Sequence, residues 1–210
     1  MLSCFSIVSF SQSYDDSVMQ HQTYLYGQFV NGSILLKSGE IEEAPLNYGA
    51  YDQTILFKKD GTSFTLTGLS TIDTIYIADK KFISVKNAVY EVVTHTGKTD
   101  LLIGYNSKIN PMIAAADNNG ISNQNAGKVN NTVTSVYLSR PFKGNYAIEI
   151  TKHYWLKNFK NLYKVNTAKE FTRAFKESAS KAIKKFIQQH GTNFNNQSDL
   201  ISLLSYSNQL

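Results

Sequence analysis

The chain has 210 residues, 42% of them hydrophobic, with a formal net charge of +5. That length suits one domain with a sizeable core, and a single cysteine, Cys4, excludes an intrachain disulfide and a thiolate metal cluster. The charge is uneven: residues 1–140 hold 10 basic and 12 acidic side chains (10 − 12 = −2), and residues 141–210 hold 11 and 4 (11 − 4 = +7), so any attraction for an anionic partner belongs to the C-terminal third.

Residues 1–12 read as the remnant of an export signal. Leu2, Phe5, Ile7, Val8 and Phe10 form an apolar run, and Ser9-Phe10-Ser11-Gln12 resembles a small-residue cleavage region. Cys4 lies inside the run rather than after it, which argues against lipid attachment. Residues 13–23 predict a flexible N-terminus. No other stretch approaches the ~20 apolar residues of a membrane span.

Residues 24–151 predict a β-rich domain. The aromatic content, 13 Tyr, 12 Phe and one Trp, suits pleated surfaces. Tyr24–Val30 ends at Asn31-Gly32, a hairpin dipeptide, and Ser33–Lys37 ends at Ser38-Gly39. Pro45 marks Ile41–Tyr48 as an edge or bulged strand. Asp60-Gly61 joins Thr54–Lys59 to Ser63–Thr67 as the clearest hairpin, because both residues tolerate the positive φ of a type I′ turn. Further strands follow at Ile72–Ile77, Phe82–Val85, Val89–Val93 and Leu101–Tyr105. Residues 106–131, rich in Asn and Gly, predict a mobile loop. Strands resume at Thr132–Leu138 and at Tyr146–Ile150.

Residues 152–210 predict a helical section packed on the sheet. Thr167-Ala168-Lys169-Glu170 reads as a capping box. Phe171, Ala174, Phe175, Ala179, Ala182, Ile183, Phe186 and Ile187 form one apolar stripe. His190-Gly191 reads as a helix stop, and Ser198 or Asp199 as the cap of a last short helix. The fold class predicted is α+β: an antiparallel β meander of about eight strands, forming a curled sheet, sandwich or partial barrel, capped by two or three C-terminal helices.

Four stretches carry a resemblance: Gly32–Gly39, Leu46–Phe57, Asp73–Phe82 and Tyr163–Asn208. Together they resemble a group of exported Bacteroidetes proteins without an established function. The resemblance implies an envelope or secreted domain and no catalytic residues. It also implies O-glycans on Asp-Ser/Thr followed by an apolar residue, a pattern met at Ser17 and Thr74.

The residues carry no linear catalytic or cofactor motif. His21, His95, His153 and His190 lack metal-ligand spacing. A Gly-x-Ser-x-Gly elbow and a phosphate-binding loop are absent. Glu40, Glu42 and Glu43 read as a solvated acidic edge, and Asp117-Asn118-Asn119-Gly120 lacks the spacing of a calcium loop. The candidate binding segment is Lys152–Lys164, where Lys152, His153, Tyr154, Trp155, Lys157 and Lys160 interleave cations and rings. The expected function is an exported, non-enzymatic binding or structural module whose partner is an envelope protein or a glycan, with nucleic acid disfavoured. The alternatives are a carbohydrate- or peptide-binding domain using the Trp155 region, and a hydrolase whose site no linear motif reveals. No catalytic residue, metal ligand or cofactor is assigned.

Overall fold

The computed structural model describes residues 23–111, 146–159 and 161–210. The chain divides into two compact units, Met1–Ser107 with Ile150–Leu210, and Lys108–Glu149. In the second, residues 108–111 and 146–149 are extended strand. The expected export remnant, N-terminal Ser17, Asp117–Gly120 and the strand at Thr132–Leu138 lie outside the described residues.

Ten strands build one antiparallel sheet that does not close. They are β1 (Val30–Leu36), β2 (Ile41–Gly49), β3 (Thr54–Lys59), β4 (Thr62–Thr65), β5 (Ile72–Ile77), β6 (Lys80–Val85), β7 (Ala88–His95), β8 (Thr99–Pro111), β9 (Tyr146–Asn158) and β10 (Asn161–Lys164). Three helices follow: α1 (Ala168–Thr172), α2 (Glu177–His190) and α3 (Gln197–Ser207). The strand order β10-β9-β8-β7-β6-β5-β1-β2-β3-β4 is two meanders joined where β5 pairs with β1. The α+β expectation holds, with ten strands rather than eight.

The sheet is rolled. Tyr48 on β2 donates from its hydroxyl to the Val89 carbonyl on β7 at 3.1 Å. Those strands stand four positions apart in the order, about 19 Å on a flat sheet, which no tyrosine spans. The turn after β2 reaches further: Ser107 N–H donates to the Ala50 carbonyl at 3.1 Å, and the Gln53 amide bonds to Asn106. Into the resulting hollow point Leu46, Tyr48, Ile55, Ile75, Ile77, Phe82, Ile103 and Leu156, all buried.

The tight turns follow local chemistry. Asp60 and Gly61 take φ of 51° and 78°, and Lys86 and Asn87 take 52° and 65°, the double positive φ of type I′ turns. Asn31-Gly32 does something else. It lies inside β1, opposite Pro45 and Ala44. Gly32 is required there because a Cβ would overlap the Tyr76 carbonyl oxygen and sit 2.7 Å from Leu46 Cδ1. Pro45 is tolerated because β3 pairs with β2 only from Leu46 onward, leaving the first half of β2 an edge on that side.

Strands also extend where loop and helix were expected. β8 continues through residues 106–111, and β9 with β10 runs through Lys164, so the helical section begins at Ala168 and not at residue 152. Lysines and rings at every second or third position satisfy either period, and pairing of β10 on β9 decides for strand.

The apolar stripe of residues 171–187 is not one rod. The chain leaves helical geometry between α1 and α2: Ala174 and Phe175 N–H groups bond three residues back, and Lys176 takes ψ of 149°. The break lets Phe171 stack on Phe175 while Phe171, Ala174, Ala179 and Ile183 all reach the core. The capping box forms with an offset. Thr167 Oγ1 accepts from Glu170 N–H at 3.2 Å, but Glu170 accepts from Asn166 N–H at 2.9 Å, one residue early. Gly191 stops α2 in the left-handed region as expected. The cap of α3 is Asn196, whose Oδ1 accepts from Ser198 and Asp199 N–H groups, rather than Ser198 or Asp199.

The helices share the sheet's core: Phe171, Ile183, Leu200, Leu203 and Leu204 join Ile34, Leu66, Leu101 and Leu156 in one cluster. Two side-chain amides tie the helices to the strands, Asn158 to the Ala174 carbonyl at 3.1 Å and Asn208 to Thr96 Oγ1 at 2.7 Å. Gly32→Ala is expected to lower stability by about 3 kcal/mol through overpacking. Gly27→Ala, with nothing within 4 Å of the added methyl, is expected to leave it nearly unchanged. Urea midpoints at equal slope check both.

Candidate functional site

One constellation lies inside the roll. Lys80 opens β6, Glu91 lies in the middle of β7 and Tyr105 on β8. Lys80 Nζ lies 2.7 Å from both Glu91 oxygens and 3.3 Å from the Tyr105 hydroxyl, which itself donates to Glu91. The Glu91 side chain is only 10% exposed, so it depends on these partners. Lys152 Nζ stands 6.0 Å from the centre of the Tyr105 ring, on which Lys80 also lies at 5.9 Å.

Tyr26 is brought to the same place by Asn47. The buried Asn47 amide uses all its bonding capacity. Its oxygen accepts from Tyr26 N–H at 3.2 Å and Tyr48 N–H at 2.8 Å, and its nitrogen donates to the carbonyls of Tyr26 at 2.8 Å and Gln28 at 3.1 Å. The loop so fixed points Tyr26 at the end of β5, where its hydroxyl donates to the Ile77 carbonyl at 3.1 Å. Burial first, then the charges of Glu91 and Asp79, push the Tyr26 phenol up to about 12. Tyr105 is raised by burial and by its bond to Glu91, and Tyr48 is raised chiefly by burial.

A second constellation joins the start of β8 to the neighbouring strand ends. Asp100 accepts from His95 Nδ1 on β7 and, at 2.9 Å, from Lys157 Nζ on β9. Burial by itself would raise the Asp100 carboxyl. The bonds from His95 and Lys157, with their charges, outweigh it and hold the group below the usual carboxylate range. The His95 side chain is two-thirds exposed, at 67%.

The third is the segment singled out in the sequence. Strand alternation divides it. Tyr154 and Leu156 are buried in the hollow, and Lys152 shares their side of β9. His153, Trp155 and Lys157 alternate with them on the outer side. There Trp155 meets Tyr90 edge to face at 5.8 Å. Both rings close over Gly104, where a Cβ would lie 3.1 Å from Trp155 Nε1. On the edge strand, Lys164 pairs with Trp155 and Leu162 with Lys157. Burial and then the Lys164 charge lower the His153 imidazole. The structure thus brings His153, Trp155 and Lys157 together, adds Lys164 and Tyr90, and separates Lys152 and Tyr154. Lys160 lies outside the described residues.

Thr74 is buried in β5, with its hydroxyl donating to Asp73 at 2.9 Å. Glu40 and Glu43 are exposed at the acidic edge, and burial with the Glu40 charge raises Glu42. His190 stacks on Phe186 at 4.0 Å. Among the described residues no group of three or more His, Cys, Asp or Glu is placed to hold a metal ion. No described helix is long and apolar enough to cross a membrane.

The inner triad was partly legible. The hairpin at Lys86-Asn87 sets Phe82 opposite Glu91, which leaves Lys80 two residues away on the same side. The Asp100–Lys157 pair, 57 residues apart, had no such signal. No protein-family model matches the chain, and no match was found among curated proteins or solved structures.

The raised phenols stabilise the fold in full below pH 10, and that contribution is lost as pH rises through their folded values. Unfolding free energy is therefore expected to fall between about pH 10 and 12, where Tyr26 titrates. Tyr26→Phe is expected to make this fall shallower, read from urea midpoints across alkaline pH. Asp100 behaves oppositely: its contribution is present above about pH 4 and disappears as pH drops through its lowered folded value. The stability deficit of Asp100→Asn is expected to shrink below about pH 4, which acid denaturation of the two proteins measures.

Proposed function

We propose that this chain is an exported, non-enzymatic binding module of the cell envelope or secreted fraction. Its ligand surface is the outer face of the β9–β10 hairpin, and its ligand is an acidic glycan. Export is supported by the apolar run from Leu2 to Phe10 with its small-residue sequel. The binding reading is carried by one observation: His153, Trp155 and Lys157 stand in a row on one side of β9, with Lys164 beside Trp155 on the edge strand. A sugar ring stacks on an indole face, and its carboxylate meets an ammonium group. Lys164 has a hydrogen-bonding or ionic partner nowhere among the described residues, whereas Lys157 is held by Asp100.

Binding is favoured over catalysis because the described buried carboxylates are saturated. Glu91 is taken by Lys80 and Tyr105, and Asp100 by His95 and Lys157. A hydrolase reading would use the Asp100–His95 pair with a nucleophile on Nε2, and no described side chain is bonded there.

Trp155 is the single tryptophan, so its emission reports this surface directly. Titration with polygalacturonate is expected to shift or quench that emission. Lys164→Glu is expected to weaken binding about tenfold, as loss of an ion pair plus repulsion at a half-exposed site. Unchanged emission with the wild-type protein, or unchanged affinity with Lys164→Glu, would refute the assignment.

A further inference from the structure

The turn that joins β9 to β10 exposes a phenyl ring. Phe159 is 80% exposed, the largest exposure among the large hydrophobic side chains described. It also occupies the left-handed region, with φ of 51°. That conformation disfavours a bulky side chain and suits Gly, Asn or Asp. The other positive-φ positions in the turns and links between strands are Gly39, Gln53, Asp60, Gly61, Gly68, Ala78, Lys86, Asn87 and Gly97, none of them a large apolar residue. The fold therefore gains nothing from phenylalanine here, in packing or in backbone geometry.

The surroundings are basic. Asn158, at the start of the turn, bonds to the Ala174 carbonyl. That bond sets the turn beside the α1–α2 junction, where Arg173 and Lys176 are exposed. Residues 152–190 carry ten Lys and Arg and two acids, Glu170 and Glu177 (10 − 2 = +8), more than the whole chain's net charge. An apolar ring projecting from a cationic surface matches the boundary of an anionic bilayer, where acyl chains lie beneath negative headgroups.

We propose that the Phe159 turn is a membrane-contact point, with the phenyl ring entering the interface of an anionic lipid surface and Arg173 and Lys176 engaging its headgroups. The contact is reversible: one ring and a basic patch give peripheral attachment rather than a span. It stands independently of glycan binding at Trp155.

The test is sedimentation of the full chain with phosphatidylcholine vesicles, with and without about 30% phosphatidylserine. Binding is expected only to the anionic vesicles and is expected to vanish in about 1 M salt, where the screening length falls to ~3 Å. Phe159→Asn is expected to reduce partitioning roughly tenfold, the change that follows from losing about half the burial of a phenyl ring. The same variant is expected to raise the thermal midpoint, because Asn accepts the left-handed backbone. That gain separates lost binding from lost folding. Lys164→Glu is expected to impair glycan binding while Phe159→Asn spares it, so the two surfaces fail separately. No binding to anionic vesicles, or binding equal for wild type and Phe159→Asn, overturns the proposal. So does capture of an acidic protein through Phe159 by a chain that ignores the vesicles.

Discussion

Tyr48 is the strut on which the rolled sheet rests. Its ring stacks on Phe82 at 5.5 Å and meets Tyr105 edge-on at the same distance. Its hydroxyl is satisfied by Val89 across the hollow. A ten-stranded sheet that curls without closing needs something wide to fill the interior. A tyrosine suits the task because its ring supplies apolar area and its hydroxyl finds a partner in a carbonyl on a far strand. Tyr105 reaches Glu91 diagonally from the neighbouring strand, since Glu91 pairs with Ile103, and its ring then meets Tyr48 across the hollow.

The same constraint is visible in connectivity. β4 lies at one edge, yet β5 pairs with β1, four strand positions away. Only residues 66–71 make the crossing. Six residues span at most about 20 Å when fully extended, the same as the flat distance at ~4.8 Å per strand. This link is not fully extended: Thr71 N–H turns back to the Gly68 carbonyl at 2.9 Å, and Leu66 stays bonded to Ile55 at 2.8 Å. The strands must therefore already be rolled for so short a connection to reach. Lys37 Nζ fastens its far end to the Ser70 carbonyl at 2.7 Å.

What the sequence made legible was whatever a few adjacent residues decide. Asp60-Gly61 announces a turn and Gly191 a helix end because tolerance of positive φ is a property of those residues themselves. The Thr167–Glu170 pair announces a helix start because its side chains bond backbone groups a few residues away. Asn31-Gly32 carried the same local message and meant something else, because the need for glycine came from Tyr76 and Leu46, distant in the chain. The helical stripe at 171–187 showed which residues are buried but not that the helix breaks, since a break that keeps each apolar residue inward leaves the spacing unchanged. The candidate surface was legible as a segment and not as a face. Once Lys152–Lys157 is known to be strand, the period of two assigns Lys152 and Tyr154 inward and His153, Trp155 and Lys157 outward.

The distribution of acids explains why Lys164 on the β9–β10 hairpin has no acidic partner among the described residues. Only Glu170 and Glu177 accompany ten basic residues between 152 and 190, and both are used locally. Glu170 closes the start of α1 by accepting from Asn166, and Glu177 lies in the first turn of α2, where negative charge complements the helix dipole. Asp100, drawn from another strand, neutralises Lys157 alone. The remaining like charges repel one another, a cost to the compact state that none of the described acids relieves. Concentrated on one hairpin and the adjoining helices, they form the cationic surface on which the proposed binding readings rest.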